Sequence, residues 1–294
     1  MRIASLLPAA TEIVSALGLA DSLAAVTFEC DPTARARVPV VVDTAIPPGL
    51  GPAEIDRWVR ERAAAGLPMY ELDRAALAAA DPDVILTQDL CRVCALPAGT
   101  VEQALAEIGT DAEVVSVDPH TLAEVLGAIA GVARAAGAPA AGERLVGDLR
   151  ARLEAVRSAV AGRPRPRTLV LEWTDPPYVP GHWVPELVSR AGGEPLAGIV
   201  GGRSVPAQWA ELRALAPEVV VVAPCGVGLD AAIEQAGAVR DQFPGVPLVA
   251  IDSASYVVMG GPRLVDGVEA LASALHPGAV AAAPPGRVTV LDPV

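Results

Sequence analysis

The sequence has few aromatic residues and lacks the short motifs that mark the large classes of nucleotide-binding proteins and serine hydrolases. Its 294 residues include four tryptophans, three tyrosines and two phenylalanines. The glycine pairs at 201–202 and 260–261 fit neither a phosphate-binding loop nor the G-x-G-x-x-G fingerprint, and no G-x-S-x-G nucleophile elbow occurs. No pair of carboxylates indicates acid–base catalysis. The sequence therefore gives no support to these classes of enzyme.

Long apolar runs and an excess of basic residues are also missing. No stretch of about 18 uncharged apolar residues occurs, so we expect no membrane-spanning helix. The formal net charge is −13, from 22 basic and 35 acidic side chains. This charge argues against nucleic acid and against anionic membrane surfaces as partners. The composition fits a soluble protein that binds a small molecule.

The first residues of the chain resemble a signal peptide only superficially. Pro8 and Glu12 interrupt the apolar stretch, and Arg2 is the one basic residue before it. The pattern instead predicts a strand over residues 3–7 and an amphipathic helix over residues 10–17. Because removal of this segment would delete the first βα unit of the fold, we predict a cytoplasmic location.

The strongest helical pattern in the chain covers residues 140–162. Five apolar residues recur there at spacings of three and four, which is one stripe of an α-helix: Leu145, Leu149, Leu153, Val156 and Val160. Pro139 and Gly162 are typical start and stop residues. At 1.5 Å per residue such a helix is roughly 33 Å long, which suits a spacer between two domains.

The chain on each side of this helix alternates short apolar strands with helices. Apolar strands of this kind are typical of parallel sheets that are covered on both faces. We predict an α/β fold with two lobes at residues 1–138 and 164–294, joined by a long backbone helix at 139–163, with a cleft between the lobes. Ligands of parallel α/β sheets bind beyond the carboxyl ends of the strands, so the residues that follow each strand are the candidates for a site.

All four cysteines follow predicted strands: Cys30, Cys91, Cys94 and Cys225. The Cys91-x-x-Cys94 spacing lets a short loop turn both thiolates toward one soft ion. Together the four could hold a metal ion or an iron–sulfur cluster across the cleft. Two alternatives are small buried residues that pack as hydrophobes and a redox-active thiol pair. A cytosolic setting disfavours structural disulfides.

The scarce aromatic residues cluster late in the chain. Trp173, Tyr178 and Trp183 lie in EWTDPPYVPGHWVPEL, a segment stiffened by proline, and Tyr256 follows a late strand. This clustering predicts a flat apolar wall of a ligand site. The alternative is a loop that is anchored by its own aromatic side chains.

Histidine is the other scarce residue type with a candidate role. His182 lies on the same loop as the aromatic residues, where it could ligate a metal centre or serve as a hydrogen-bonded structural residue. His120 begins a predicted helix and His276 ends one, so we interpret both as helix-capping or surface residues.

Several segments together resemble the class III periplasmic binding proteins, which are the vitamin B12, iron-siderophore or haem binders of ABC transporters. RIASLLPAATEIVSALGL is similar to the opening of that family, and ADPDVILTQ and APEVVVVAPCG resemble its paired lobe motifs. The helix at 140–162 resembles its backbone helix, and GHWVPELVSRAGGEP resembles the helix that opens its second lobe. The similarity covers nearly the whole chain and is greatest for the cobalamin-binding branch.

The resemblance implies a set of ligand-binding residues on both lobes, to which we add His182 from its position. On the first lobe these are Pro8, Ala9, Thr11, Asp89, Leu90 and Cys91; on the second they are Trp173, Tyr178, Trp183, Cys225 and Tyr256. In corrinoid-binding relatives, aromatic side chains pack against the macrocycle.

From these patterns we predict a non-catalytic binding protein for cobalamin or a similar metal-containing macrocycle, with an ABC permease as an expected partner. The strand-end cysteines and the predicted location suggest a cytosolic relative of the transport receptors. The alternatives are a cytosolic protein with a metal or iron–sulfur site at the four cysteines, and a thiol-based redox enzyme that uses Cys91 and Cys94.

Overall fold

The computed structural model describes residues 1–88, 98–108 and 111–293. The chain divides into two compact units, which are composed of Met1–Pro119 with Glu124–Gly147 and of His120–Ala123 with Asp148–Val294. Both units combine mainly parallel sheets with helices. The predicted α/β class is therefore confirmed. The division at residues 138–139 and 163–164, and the cleft, stay predictions.

The first unit is built on one sheet. In its described part the strand order is β4-β3-β2-β1-β5-β6, with all neighbours parallel except β3 and β4. The strands are Ile3–Ser5 (β1), Leu23–Thr27 (β2), Val40–Thr44 (β3), Tyr70–Leu72 (β4), Val84–Thr87 (β5) and Glu113–Ser116 (β6). The inner strands β1, β2 and β5 are buried along their whole length, as expected for a sheet covered on both faces.

Helices that begin near this sheet start at residues suited to that position. Proline occupies the first helical position of four of the helices given below, where the missing N–H costs little, and Asp73 caps another by accepting from the Ala76 N–H at 2.9 Å. The helices up to the unit boundary are Pro8–Ala16 (α1), Pro32–Arg35 (α2), Pro52–Ala64 (α3), Arg74–Ala80 (α4), Ala98–Ile108 (α5), Leu122–Ala135 (α6) and Pro139–Val160 (α7).

The long helix α7 has 22 residues, close to the predicted range. The boundary between the two units falls inside it, at Gly147 and Asp148. Leu149, Leu153 and Val156 of the predicted apolar stripe are buried, with 3–6% exposure. None of the described helices is long and apolar enough to cross a membrane.

The second unit contains two sheets. A five-stranded sheet has the order β10-β7-β12-β13-β14, parallel except for β13 and β14, and a small antiparallel sheet has the order β11-β9-β8. The strands are Arg167–Leu171 (β7), Trp173–Thr174 (β8), Pro177–Val179 (β9), Glu194–Pro195 (β10), Val205–Pro206 (β11), Val219–Val222 (β12), Leu248–Ile251 (β13) and Val288–Leu291 (β14).

The remaining helices follow these strands: Val184–Arg190 (α8), Trp209–Ala214 (α9), Leu229–Val239 (α10), Ser253–Tyr256 (α11) and Leu264–Leu275 (α12). The core of this unit lies under the five-stranded sheet, where Leu169, Leu171 and Leu248 are fully buried. One residue, Glu172, separates the end of β7 from the small sheet, which begins at the edge where ligands of parallel sheets bind. It therefore defines the region in which to look for a site.

Candidate functional site

The small antiparallel sheet brings two of the predicted site residues together. Trp173 pairs with Tyr178, and Tyr178 pairs with Pro206 on the neighbouring strand. Residues directly opposite each other in antiparallel strands share a face, so these three form a row, and each is at least partly exposed. Thr174 and Val179 point to the other face and are 6% and 7% exposed. We call Trp173, Tyr178 and Pro206 the aromatic row, after its two aromatic members.

Trp183 does not belong to this row. Its side chain is 5% exposed, and its indole N–H donates a hydrogen bond of 2.8 Å to the carbonyl of Val257. A buried indole with a satisfied N–H anchors the loop to the unit, which fits the alternative interpretation of this residue. The structure therefore divides the predicted aromatic wall, because Trp173 and Tyr178 are accessible and Trp183 is internal.

Tyr256 is the last residue of α11 and is partly exposed. The guanidinium carbon of Arg287 lies 4.9 Å from the centre of its ring, within the range of a cation–π contact. Arg287 is in turn 3.6 Å from a carboxylate oxygen of Asp266. A Cβ at Gly267 would lie 2.0 Å from the carbonyl oxygen of Tyr256, so only glycine allows α12 to pack this closely against Tyr256.

Glu172 lies between β7 and β8, immediately before the aromatic row. Its backbone N–H donates to the backbone carbonyl of Tyr178 at 3.0 Å, and its carbonyl accepts from the N–H of Cys225 at 3.0 Å. The side chain is 8% exposed and accepts a hydrogen bond from the Ser204 hydroxyl. Burial raises the pKa of the Glu172 carboxyl to about 7, and the bond from Ser204 opposes this only in part.

The sequence pattern did not assign a role to Glu172. A single carboxylate at the end of an apolar strand is a weak signal, since its environment depends on residues far away in the chain. Here the relevant partner, Ser204, is 32 residues later in the sequence.

His182 has an unusual backbone conformation, with φ of +48°. Its N–H donates to the carbonyl of Gly202 at 2.7 Å, and its carbonyl accepts from the N–H of Gly201 at 2.9 Å. The ring centre lies 6.1 Å from that of His120 and 5.8 Å from that of Trp183. Partial burial, followed by the positive charges of His120 and Arg203, holds the pKa of His182 below its usual value.

The other two histidines differ from each other. His120 is exposed, in agreement with the interpretation as a surface residue, but it contacts His182, which the sequence did not indicate. His276 follows α12 as a cap residue and is 6% exposed, with Nε2 3.2 Å from the carbonyl oxygen of Gly192. Of the two roles expected for His276, the helix-capping role is confirmed and the surface position is wrong, because the tight turn at Gly192 packs over its ring.

The predicted site residues at the start of the chain are mostly internal. Pro8 is partly exposed, whereas Ala9 and Thr11 are 8% and 3% exposed. The Thr11 hydroxyl donates to the Ser5 oxygen at 2.8 Å and lies 3.0 Å from the sulfur of Cys30. These hydrogen bonds connect β1, α1 and the end of β2, and Pro8 is the member of this group that a ligand can reach.

The two described cysteines have contrasting environments. Cys30 is 2% exposed, and burial is the main cause that raises the pKa of its thiol, so it is a poor nucleophile at neutral pH. Cys225 is exposed at the end of β12.

Cys91 and Cys94, with Asp89 and Leu90, lie outside the described residues. Within the described ranges there is no group of three or more His, Cys, Asp or Glu side chains that could hold a metal ion, and the four-cysteine site stays a prediction.

Two α/β units with mainly parallel sheets and candidate ligand residues after the strands define a class of small-molecule binding protein. The sequence model of the family described as "Periplasmic binding protein" matches residues 3–250. The chain therefore belongs to the periplasmic binding protein family, and the resemblance found in the sequence is confirmed. No sequence among the curated proteins matches this chain significantly.

Solved structures share the fold over nearly the whole chain. A periplasmic heme binding protein from Pseudomonas aeruginosa is 22% identical, with a TM-score of 0.70, over 100% of this chain and 98% of that chain. The heme-binding protein RhuT from Roseiflexus sp. RS-1 is 23% identical, with a TM-score of 0.66, over 95% and 98%. The vitamin B12 binding protein BtuF of Vibrio cholerae is 20% identical, with a TM-score of 0.62, over 93% and 96%.

The predicted cytoplasmic location is wrong. The matching family is one of periplasmic binding proteins, and the similar structures named above are periplasmic proteins. The sequence correctly indicated that residues 3–16 belong to the fold, since they form β1 and α1. The error was to infer the compartment from this, because a segment that folds as a strand and a helix carries no information about where the protein is delivered.

Proposed function

We propose that this protein is the substrate-binding component of an ABC importer and that its ligand is a flat metal-containing macrocycle, haem or a corrinoid such as cobalamin. The aromatic row is the observation that carries the proposal. Trp173 and Tyr178 are neighbours on one face of a small sheet, and both are accessible to solvent. Flat conjugated ligands stack on such surfaces, and aromatic side chains contribute most to binding in largely preformed pockets.

The position of the row supports the same ligand class. It follows β7 directly, at the carboxyl edge of a mainly parallel sheet, which is where α/β proteins bind their ligands. Tyr256, which follows the parallel strand β13, is a further accessible aromatic residue at this edge. We propose that the macrocycle packs on Trp173 and Tyr178 and that Tyr256 contacts its periphery.

The similar structures support a macrocycle without choosing between the two kinds. Two of those named above are heme-binding proteins and one is a vitamin B12 binding protein. Both ligands offer a broad flat ring with a central metal ion, so the aromatic row suits each of them. We infer that the protein catalyses no reaction, that it acts outside the cytoplasm, and that it delivers its ligand to an ABC permease.

The proposal is tested by titration of the purified protein with hemin and, separately, with cyanocobalamin. Binding of hemin shifts the Soret band, and binding of either ligand quenches tryptophan fluorescence. We expect saturation at a dissociation constant of about 1 µM or below for one of the two, which corresponds to a binding free energy of about −8 kcal/mol or stronger. Riboflavin, which is flat but is neither a macrocycle nor a metal complex, serves as the control ligand.

Three outcomes are informative. Tight binding of hemin or cyanocobalamin, but not of riboflavin, supports the proposal and selects the ligand. Binding of a ferric siderophore with no response to either macrocycle would overturn the ligand class. Equal binding of riboflavin and hemin would show an unselective apolar surface and would also count against it.

A further inference from the structure

His120 and His182 come from separate parts of the chain and meet inside the second unit. Their ring centres are 6.1 Å apart, with an angle of 38° between the ring planes. His120 belongs to the short segment His120–Ala123 and lies two residues before the start of α6, and His182 directly precedes Trp183 and α8. Residues 62 positions apart thus present two imidazoles to each other. The proposed macrocycle function does not account for this pair.

The separation is close to the distance between two imidazoles that share one metal ion. Zinc–imidazole bonds of about 2.0–2.1 Å place each ring centre about 3.2 Å from the ion. Two rings on one ion therefore have centres about 5.2 Å apart at the tetrahedral angle that zinc prefers, and up to about 6.4 Å apart at wider angles. The observed 6.1 Å is about 1 Å longer than the tetrahedral value. Because His120 is exposed, closing this difference requires movement of a surface side chain and not of the core.

The backbone of His182 is held in place by the chain around Gly201 and Gly202. Two backbone hydrogen bonds, of 2.7 Å and 2.9 Å, join His182 to these glycines. The φ of +48° is rare for a residue other than glycine, and backbone conformations of this kind persist only where the surrounding contacts impose them, often at ligand sites. The backbone that carries this imidazole is therefore held in place before any ion binds.

The segment that carries His120 is tied to the same structure. The N–H of Leu122 donates to a carboxylate oxygen of Glu186 at 2.7 Å, and Glu186 lies on α8, four residues after His182. The methyl group of Thr121 is 3.8 Å from the position that a Cβ of Gly201 would take. Both histidines thus lie on chain segments that contact α8 or the glycine loop, and such attachment lowers the entropic cost of chelation.

We propose that His120 and His182 together bind a divalent transition-metal ion of the zinc, nickel or copper type. Imidazole is a good ligand for all three ions. In the proposed site the two imidazoles are the protein ligands and water fills the remaining positions, so the ion is exchangeable. Among the described residues no group of three or more metal-ligating side chains occurs. The site differs from the four-cysteine site predicted from the sequence, and it requires no macrocycle.

The test is calorimetric titration of ZnCl₂ into protein that carries no polyhistidine tag, in the absence of haem and cobalamin. His120→Asn and His182→Asn each remove one ligand, and asparagine tolerates the left-handed backbone at position 182. We expect each variant to bind Zn²⁺ at least about tenfold more weakly, and the double variant to lose only about threefold more, because one imidazole alone is a weak ligand.

Two further variants probe the charge beside the histidine pair and the exposed thiol. Arg203→Ala removes a positive charge that acts on His182, so we expect it to strengthen Zn²⁺ binding about two- to fivefold. Cys225→Ser removes the exposed thiol, and it should leave the affinity at the histidine site unchanged.

Each possible result of these titrations either supports or overturns the histidine site. Loss of affinity in both histidine variants, with retention in Cys225→Ser, supports the site. Equal affinity in the wild type and the double variant, loss in Cys225→Ser alone, or no zinc binding by the wild type would each overturn it. Because hemin and cyanocobalamin are absent from the titration, failure of the macrocycle proposal does not affect this result.

Discussion

The Ser204 hydroxyl donates a hydrogen bond to the carboxylate of Glu172, and this bond links the start of the aromatic row to the loop that precedes β11. The carboxylate is otherwise surrounded by the protein interior, with 8% of the residue exposed. A neutral hydroxyl compensates only part of the cost of removing a charged carboxylate from water. The pKa of Glu172 is therefore about 7 instead of the ordinary 4.5.

This elevated pKa predicts a particular dependence of stability on pH. The folded state holds the proton of Glu172 up to about pH 7, whereas the unfolded chain loses this proton near the ordinary pKa of a glutamic acid. The protonated carboxyl therefore contributes fully to the stability of the folded state at low pH. This contribution is lost as the pH rises toward 7. The total loss is about 3 kcal/mol at most. Glu172→Gln should abolish this component and raise the free energy of unfolding at pH 8, as measured by urea denaturation between pH 5 and 8.

A matched control for that experiment is Glu234→Gln, which changes an exposed carboxylate on α10 in the same unit. We expect its pH profile to follow that of the wild type. If Glu172→Gln and Glu234→Gln gave the same profile, the carboxyl of Glu172 would not titrate near neutrality.

Trp173→Ala should weaken macrocycle binding. The indole lies in the aromatic row beside Tyr178, and removal of one stacking surface should lower the affinity for the preferred macrocycle at least about tenfold, which corresponds to 1.4 kcal/mol. Trp58→Ala is the control, because Trp58 is also partly exposed but lies on α3 of the first unit, where it stacks with Arg62 at 5.0 Å. Equal losses in the two variants would indicate a general effect on folding instead of a contact with the ligand.

Two arginines on the long helix α7 should differ in their contribution to stability. Arg152 donates to Glu269 of α12 at 2.6 Å and 2.9 Å and also pairs with Asp266, and the three side chains are partly buried. Arg152→Ala should cost about 1–2 kcal/mol, less than for a fully buried pair because solvent screens part of the interaction. Arg157 pairs with Glu154 on the exposed side of the same helix, and Arg157→Ala should leave the melting temperature unchanged. Thermal denaturation of the two variants checks the difference.

The parts of the fold that the sequence predicted are those determined by local pattern. The apolar stripe of α7 repeats every three or four residues, and the strands β5 and β12 are short apolar runs after proline-containing turns. Helical periodicity and apolar runs depend only on neighbours in the sequence, so both were visible without the structure.

The antiparallel sheet was not visible in this way. The sequence predicted a stiffened loop at residues 175–182, whereas residues 177–179 form β9 and pair with β8 and β11. The pairing of Tyr178 with Pro206 joins residues 28 positions apart, and a strand of two residues leaves no periodic signal. The same limit applies to Glu172 with Ser204 and to His120 with His182, since long-range contacts of polar side chains have no local pattern.

Cys30 should react slowly with thiol reagents in the native protein. It is 2% exposed, its sulfur lies 3.0 Å from the Thr11 hydroxyl, and its raised pKa reduces the thiolate fraction at neutral pH. We expect alkylation by iodoacetamide at pH 7.5 to be at least about tenfold slower at Cys30 than at the exposed Cys225, and to become equal in urea. Peptide mapping by mass spectrometry measures each rate. Rapid native alkylation of Cys30 would show that its thiol is accessible to reagents and would contradict its burial.

Gly181→Ala should destabilise the loop that holds His182 and Ser204. A Cβ at Gly181 would lie 2.4 Å from the carbonyl carbon of Arg203, 2.4 Å from the carbonyl oxygen of Gly202 and 2.7 Å from the amide nitrogen of Ser204. All three are backbone atoms, which cannot move aside as a flexible side chain could. We expect a loss of about 1–3 kcal/mol in the free energy of unfolding, as for other overpacked sites, measured by urea denaturation.

The matched control is Gly237→Ala, on an exposed position of α10 where a Cβ would meet nothing within 4 Å. Alanine favours a helix interior over glycine by about 0.5–1 kcal/mol, so this variant should be more stable than the wild type. The two glycine substitutions are thus expected to change the free energy of unfolding in opposite directions, which excludes a general effect of the added methyl group.

Because Gly181→Ala separates the chain at 202–204 from His182, it should also weaken Zn²⁺ binding, whereas Gly237→Ala should not. If Gly181→Ala were as stable as the wild type and bound zinc normally, the loop would tolerate displacement, and His182 would not be held as firmly as its backbone hydrogen bonds imply.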